Sequence, residues 1–79
     1  MEPIKDKEKV ARMFSQGQTS LVDASSGYKY NMLACCPKHG NFSPVAQVET
    51  TSSSISKVIF RCTICSNLFE AKQEDIYIR

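Results

Sequence analysis

The apolar and polar positions divide the chain into one amphipathic segment near the N-terminus and several short extended segments after it. Val10, Met13 and Phe14 recur at the spacing of three and four that places side chains on one face of a helix. Pro3 suits the first position of such a helix, and Gly17 suits the residue just beyond its end. The pattern therefore predicts a short N-terminal helix, which must pack on the rest of the chain, bind a partner or fray, because so short a helix is marginal alone.

The next part of the chain is polar and then alternates in the manner of β-strands. Residues 18–27 are rich in Ser, Thr, Asp and Gly and predict a linker, while residues 28–34 predict an extended segment. Residues 45–49 and 57–61 predict two strands of an antiparallel hairpin, joined by the polar tip at residues 50–54. We expect residues 1–27 to form a helix with a flexible lead, and residues 28–79 to form the folded domain.

The last segment admits two interpretations. Leu68 and Phe69 predict a third strand beside the hairpin, whereas residues 70–75 have helix propensity. Residues 76–78 are extended in either case.

Two Cys/His pairs share one spacing. Cys36 and His39 are separated by two residues, and so are Cys62 and Cys65. Each such turn points two donors at one position, and two turns complete the tetrahedron that zinc prefers. A chain of 79 residues gains little from hydrophobic burial alone, so a bound ion would supply much of its stability. The sequence therefore predicts one structural Zn²⁺ ion with these four residues as ligands.

Cys35 competes with Cys36 for the ligand position. Three residues separate Cys35 from His39, and this choice would put Pro37 and Gly40 out of register with the turn. Cys36 is therefore the predicted ligand, and Cys35 is predicted to be a free thiol.

The same four residues argue against an enzyme. A catalytic zinc keeps one position open for water, but here four protein donors fill the coordination sphere. A redox Cys-x-x-Cys centre would need a βαβ context that this chain is too short to provide. No phosphate loop, Ser-His-Asp set or HExxH helix is present. We expect no catalytic residues and no small-molecule substrate.

The start of the chain bears on its compartment. Its first ten residues, MEPIKDKEKV, alternate in charge and contain no apolar run, and no segment approaches the length needed to span a bilayer. We therefore expect an intracellular protein, cytoplasmic or nucleoid-associated, without membrane contact. Paired cysteines there favour metal, whereas two disulfides in a secreted domain are the alternative.

Charge is nearly balanced along the whole chain but not in its middle. Ten Lys and Arg against eight Asp and Glu give a net charge of +2, which is too small to diagnose nucleic-acid binding. Within residues 24–61, however, Glu49 is the one acidic residue against four basic ones. These are the candidate contacts with nucleic acid or a partner: Lys38, at the tip of the first metal turn, and Lys57, Arg61 and Lys29.

Aromatic residues are interleaved with these basic positions. Tyr28, Tyr30, Phe42 and Phe60 could stack on bases if they were exposed. For the phenylalanines we favour the alternative that Phe42, Phe60 and Phe69 form the small core.

The two metal turns resemble those of the zinc ribbon family. Cys36-Pro-Lys-His39-Gly is similar to its first Cys-Pro-x-Cys-Gly turn, with His for the second Cys, and Cys62 to Cys65 is similar to its second. The resemblance covers residues 33–71 and implies a small metal-stabilised β domain of about three antiparallel strands after the short N-terminal helix. The alternative is a treble-clef-like finger, in which Cys65 would start a helix through residues 70–75.

The string Cys-Pro-Lys-His-Gly-Asn-Phe, residues 36–42, is also similar to zinc-binding segments of phage proteins and of homing endonucleases. The layout resembles small phage transcription activators of the Ogr type, although their second ligand pair is more widely spaced. These resemblances imply a nucleic-acid-binding or transcription-associated zinc factor of phage or prophage origin. The alternative is a protein–protein interaction module that docks on a larger enzyme, such as RNA polymerase or a nuclease.

Overall fold

The computed structural model describes residues 2–79, which form one α-helix, six short β-strands and one 3₁₀ turn. In chain order these are α1 (Lys7–Gln16), β1 (Ser20–Val22), β2 (Lys29–Cys35), β3 (Phe42–Thr51), β4 (Ser54–Arg61), β5 (Leu68–Glu70), the 3₁₀ turn (Gln73–Asp75) and β6 (Tyr77–Ile78). All strand pairs are antiparallel, in the order β1-β2-β3-β4-β5, with β6 paired to β2. A small antiparallel β domain with one short helix is confirmed, but the expected number of strands, three, is wrong.

Helix α1 ends where the sequence predicts and begins later. Gly17 adopts the left-handed conformation, with φ of 68°, and ends the helix. The start at Pro3 is wrong, because Asp6 caps the helix and accepts a hydrogen bond from the Lys9 amide at 3.1 Å. Helical structure therefore begins at Lys7.

The residues before α1 belong to the sheet. Ile4 forms an isolated antiparallel bridge with Ile78, and the two backbones exchange hydrogen bonds of 2.9 Å in both directions. The segment before α1 is thus held on the outer edge of β6, and α1 begins three residues after Ile4.

Helix α1 packs on the sheet through its apolar face. Val10 and Met13 are buried, at 2% and 0% exposure, and they join the central core. That core also contains residues from β2, β4 and the C-terminal segment, namely Met32, Ala34, Ile55, Val58, Phe60, Ile76 and Ile78. The helix is therefore a structural part of the domain.

The C-terminal end of α1 rests on the turn between β3 and β4. A Cβ atom at Gly17 would lie 2.6 Å from the Ser53 carbonyl oxygen, and the Ser54 hydroxyl donates to the Ser15 carbonyl at 3.5 Å. The predicted polar tip is thus a docking point for the helix.

A bulge adapts the β3–β4 hairpin to the core. Glu49 faces Lys57 and Thr50 faces Ile55, so Ser56 is an extra residue in β4. The extra residue shifts the alternation of side chains by one position. Ile55 therefore points inward and is buried together with Val58 and Phe60.

Two local expectations need correction. The predicted linker at residues 18–27 contains β1, and its Asp23 forms a turn by accepting a hydrogen bond from the Ser25 amide at 3.0 Å. The helix proposed to start at Cys65 is wrong, because residues 68–70 form β5 and only the 3₁₀ turn follows. The predicted extended segment at residues 76–78 is confirmed, and its last two residues form β6.

The phenylalanine core is confirmed only in part. Phe60 is fully buried and stacks on the half-buried Phe69 at 5.8 Å between ring centroids. Phe42 is 37% exposed and packs edge-on against Tyr77 at 5.1 Å, outside the core.

Among residues 2–79, no helix combines the length and the apolar character needed to cross a bilayer.

Candidate metal centre

The four predicted ligands come together in one cluster. The ligand atoms of Cys36, His39, Cys62 and Cys65 all lie within 4.8 Å of one another. The sulfurs of Cys36 and Cys62 each lie 3.8 Å from Nδ1 of His39. A tetrahedral zinc ion places sulfur and nitrogen donors about 3.5–3.8 Å apart, as follows from its bond lengths. The cluster therefore has the geometry and the donor atoms to hold a single metal ion.

Two hairpin connections supply these ligands. Cys36 directly follows β2, and His39 lies in the connection to β3. Cys62 directly follows β4, and Cys65 lies in the connection to β5. A metal ion at this position would join one hairpin to the other.

The first connection, residues 36–41, is held by two backbone hydrogen bonds and is called the first turn here. The Cys36 amide donates to the Asn41 carbonyl at 2.9 Å, and the Gly40 amide donates to the Cys36 carbonyl at 2.7 Å. Gly40 has φ of 70°, a conformation that glycine reaches at low cost. Gly40 therefore suits the position directly after the ligand.

The second connection, residues 62–67, repeats the first and is called the second turn. The Cys62 amide donates to the Asn67 carbonyl and the Ser66 amide donates to the Cys62 carbonyl, both at 3.0 Å. Ser66 has φ of 62° and occupies the position of the glycine. The two turns share one sequence pattern: a Cys ligand, a second ligand three residues later, and an Asn two residues after the second ligand. Sequence reasoning missed it because it considered the ligands alone.

The side chain of Asn41 crosses between the two turns. Its amide nitrogen donates to the Thr63 hydroxyl at 3.0 Å. Its amide oxygen lies 3.3 Å from the Cys62 sulfur and accepts a hydrogen bond from it while Cys62 is protonated. Asn41 therefore fixes the relative position of the two turns from outside the ligand set, a role that sequence reasoning did not assign.

Backbone amides of the second turn stabilise the thiolate form of Cys62. Burial raises the pKa of this thiol. The amides of Cys65 and Ile64, 3.5 and 3.3 Å from its sulfur, lower the pKa by more than burial raises it, so that it falls to about 5. The pKa of Cys36 is also lowered, because the amides of Lys38 and His39 outweigh its burial. Both thiols are thus biased toward the form that binds metal.

The other two donors hold their protons more tightly. For Cys65, the Asn67 amide lowers the pKa, but burial and the neighbouring thiols Cys62 and Cys36 together raise it. The pKa of His39 is raised by its contacts with Cys36 and then Cys62.

The raised pKa values of Cys65 and His39 predict a metal affinity that depends on pH. Since the raised pKa values leave Cys65 and His39 protonated in the metal-free protein as the pH falls, zinc must displace those protons. We expect the affinity to fall between pH 7 and pH 5.5, by about tenfold per pH unit for each proton displaced. Competition with a chelator at several pH values measures this, and an affinity independent of pH would contradict it.

The repeat also predicts a stabilising substitution. Ser66 holds a left-handed conformation that costs a non-glycine residue roughly 1 kcal/mol, so we expect Ser66→Gly to raise the free energy of unfolding by up to about 1 kcal/mol. Denaturant unfolding of the zinc-loaded protein measures the change. The matched control is Gly40→Ser in the first turn, where a Cβ atom meets no other atom within 4 Å, so only the backbone penalty acts. Gly40→Ser should lower the unfolding midpoint where Ser66→Gly raises it. Equal midpoints for the two variants would contradict the equivalence of the two turns.

Cys35 lies outside the cluster, as predicted. It is the last residue of β2, faces Phe42 of β3 and is half-buried.

The four basic residues predicted as contacts are exposed but do not form one patch. Lys29 starts β2 and Lys38 follows its end, which separates them by about 20 Å of extended strand. Lys57 and Arg61 lie on the outer face of β4, where Glu49 stands directly opposite Lys57. Their role as contacts stays a prediction.

Comparison with protein-family models, curated proteins and solved structures finds no match to this chain. The resemblance to zinc ribbons and phage factors therefore rests on the sequence motifs alone.

Proposed function

We propose that this protein is a small zinc-stabilised accessory module that docks on a larger protein, in which zinc has a structural role. The observation that supports this best is the donor set: three sulfurs and one imidazole nitrogen lie within 4.8 Å of one another, and four such protein ligands are what a closed tetrahedral zinc site needs. Bound zinc would offset two of the three thiolate charges and hold the two turns together. With four protein ligands it leaves no position for a substrate or a reactive water.

The metal content and the absorption spectrum of the cobalt-substituted protein test the proposal that zinc has a structural role. We expect one zinc per chain by elemental analysis, and a tetrahedral thiolate spectrum after substitution with Co²⁺. A metal-free protein with an unchanged fold, or an octahedral cobalt spectrum, would overturn it.

The distribution of charge supports a protein partner over nucleic acid. Across the outer face of β4, Lys57 is opposite Glu49, and Glu70 of β5 is opposite Ile59, between Lys57 and Arg61. These carboxylates offset the local positive charge that the sequence alone had indicated. A nucleic-acid surface instead concentrates unopposed basic side chains.

Nucleic-acid binding in transcription or DNA processing is the second candidate. It is favoured by the exposure of Lys57 and Arg61 on one face of one strand and by the exposed Lys38 and Phe42 near the metal turns. A salt titration with a fluorescent oligonucleotide separates the two. A nucleic-acid protein would bind with an affinity that falls steeply with salt and drops in Lys57→Ala and Arg61→Ala. For a protein-docking module we expect no oligonucleotide binding even at low salt.

A further inference from the structure

A groove lies between the end of β2 and β5, beside the metal centre. It consists of two adjoining depressions of about 430 and 290 Å³, both lined by Phe69. One wall is formed by residues 34–38, and the other by Cys65, residues 67–69 and Ala71. The half away from the metal centre is also lined by Lys5, Asp75 and Tyr77. We call it the edge groove.

The walls are strand edges, as the order of the lining residues indicates. Successive side chains of a strand point to opposite faces of the sheet, so a depression over a face is lined by every second residue. Here consecutive strand residues line both walls, Ala34 and Cys35 of β2 and Leu68 and Phe69 of β5, while the first and second turns complete the metal end. The sheet runs from β2 through β3 and β4 to β5, and the groove is the opening between the outer sides of β2 and β5.

The backbone of β2 is available at this opening. The Met32 and Cys36 amides donate toward β1 and β3, to Thr19 and Asn41, whereas the Asn31 amide donates to Arg79 on the opposite side, toward β6. Because backbone groups alternate along a strand, Cys35 directs its N–H and C=O to the β6 side.

Strand β6 stops short of this position. Its last pair with β2 is Leu33 with Tyr77, so among residues 2–79 no strand pairs with Cys35 on that side. Within the described part of the chain β5 pairs with β4 alone, and every second residue of β5 turns its N–H and C=O outward. The groove is thus bordered by two strand edges that can each accept a further strand.

The side chains at the metal end of the groove define what would fit. Pro37, Leu68 and Phe69 offer apolar surface there, and Leu68 is 54% exposed. Among residues 2–79, Lys38 is the one charged side chain that lines that half, and no carboxylate does. The one ion pair among residues 2–79 is Lys9 with Asp6, so Lys38 has no acidic partner within them.

We propose that the edge groove binds an extended acidic–apolar segment of the partner protein as an added β-strand. The segment places an apolar side chain against Phe69 and a carboxylate beside Lys38, while its backbone pairs with an open strand edge. Strand addition of this kind draws its affinity from main-chain hydrogen bonds and its specificity from alternate side chains. This inference rests on the proposed protein-docking function and assigns its surface.

Selection from a displayed library of random peptides on the zinc-loaded, full-length protein tests the assignment. We expect enriched peptides to share an apolar residue with acidic neighbours. A synthetic peptide of the enriched sequence should shift the backbone amide NMR signals of Cys35 and of residues 68–71 and slow their hydrogen exchange.

Matched variants identify the groove as the site. Lys38→Glu should weaken binding of the peptide by about tenfold, because the carboxylate then meets a like charge. Lys57→Glu makes the same charge change on the outer face of β4 and should leave the affinity within about twofold. Methylating alternate amide nitrogens of the peptide removes its strand pairing without altering its side chains, and should abolish binding.

The outcomes separate this inference from the function on which it rests. Peptides that bind but are insensitive to Lys38→Glu and to methylation would overturn the groove assignment and leave protein docking in place. No enrichment would overturn the assignment, and salt-dependent oligonucleotide binding would then overturn the docking function as well. Shifts of the groove amides with protein concentration alone would assign the groove to a second copy of the chain and overturn the partner segment.

Discussion

Chelating the metal is expected to unfold the domain, and Cys62→Ser is expected to do the same. Metal binding in small structural zinc sites contributes roughly 10–16 kcal/mol at neutral pH and is coupled to folding. Cys62 is fully buried and ends β4, so its loss removes one donor and leaves a polar hydroxyl at the edge of the core. We expect the dispersed amide NMR spectrum and the β-sheet circular dichroism to collapse in both cases.

Cys35→Ser is the matched control for this experiment. Cys35 is a half-buried neighbour of the cluster and is not one of its four donors. This variant should keep one zinc per chain and the native spectrum. If chelated wild-type protein retained its dispersion, the metal would be dispensable for the fold and the structural role proposed for it would be wrong.

Met13→Ala is expected to lower the free energy of unfolding by about 2–5 kcal/mol. Met13 has no exposed surface, and its truncation leaves a cavity between α1 and the sheet at a site with little freedom to collapse. For a domain of this size, such a loss is a large share of the total stability. Denaturant unfolding of the zinc-loaded protein, followed by circular dichroism, measures the change.

The control is Arg12→Ala, one position earlier on the exposed face of the same helix. Arginine and alanine have similar helix propensities, so the midpoint should move by less than about 0.5 kcal/mol. Equal midpoints for wild type and Met13→Ala would show that the helix does not rest on the sheet in solution.

Features with local causes were predictable from the sequence. Gly17 ends the helix because of its own backbone freedom, and the two Cys-x-x-ligand turns bring their donors together through short-range geometry. The β3–β4 hairpin follows from alternation on either side of a polar turn, at Ser52 and Ser53, which both adopt positive φ.

Features that depend on distant residues were not predictable. Ile4 bridges to Ile78, at the other end of the chain, and nothing in its neighbours indicates that pairing. β1 has only three residues and is stabilised by its pairing with β2. Its own residues are mostly flanked by polar ones, so the local sequence predicted a linker there. The bridge at Ile4 requires extended backbone, so the helix starts at Lys7, after its cap Asp6, and not at Pro3.

The repeated turns also have a consequence for the order of folding. Each turn closes its hydrogen bonds within six residues, so each half of the metal site can form on its own at little entropic cost. The costly step is joining the halves, because 22 residues lie between His39 and Cys62. That loop is the β3–β4 hairpin itself, which brings its own ends together as it pairs. The metal ion would then meet two preformed two-donor arms, and its capture would complete folding rather than start it.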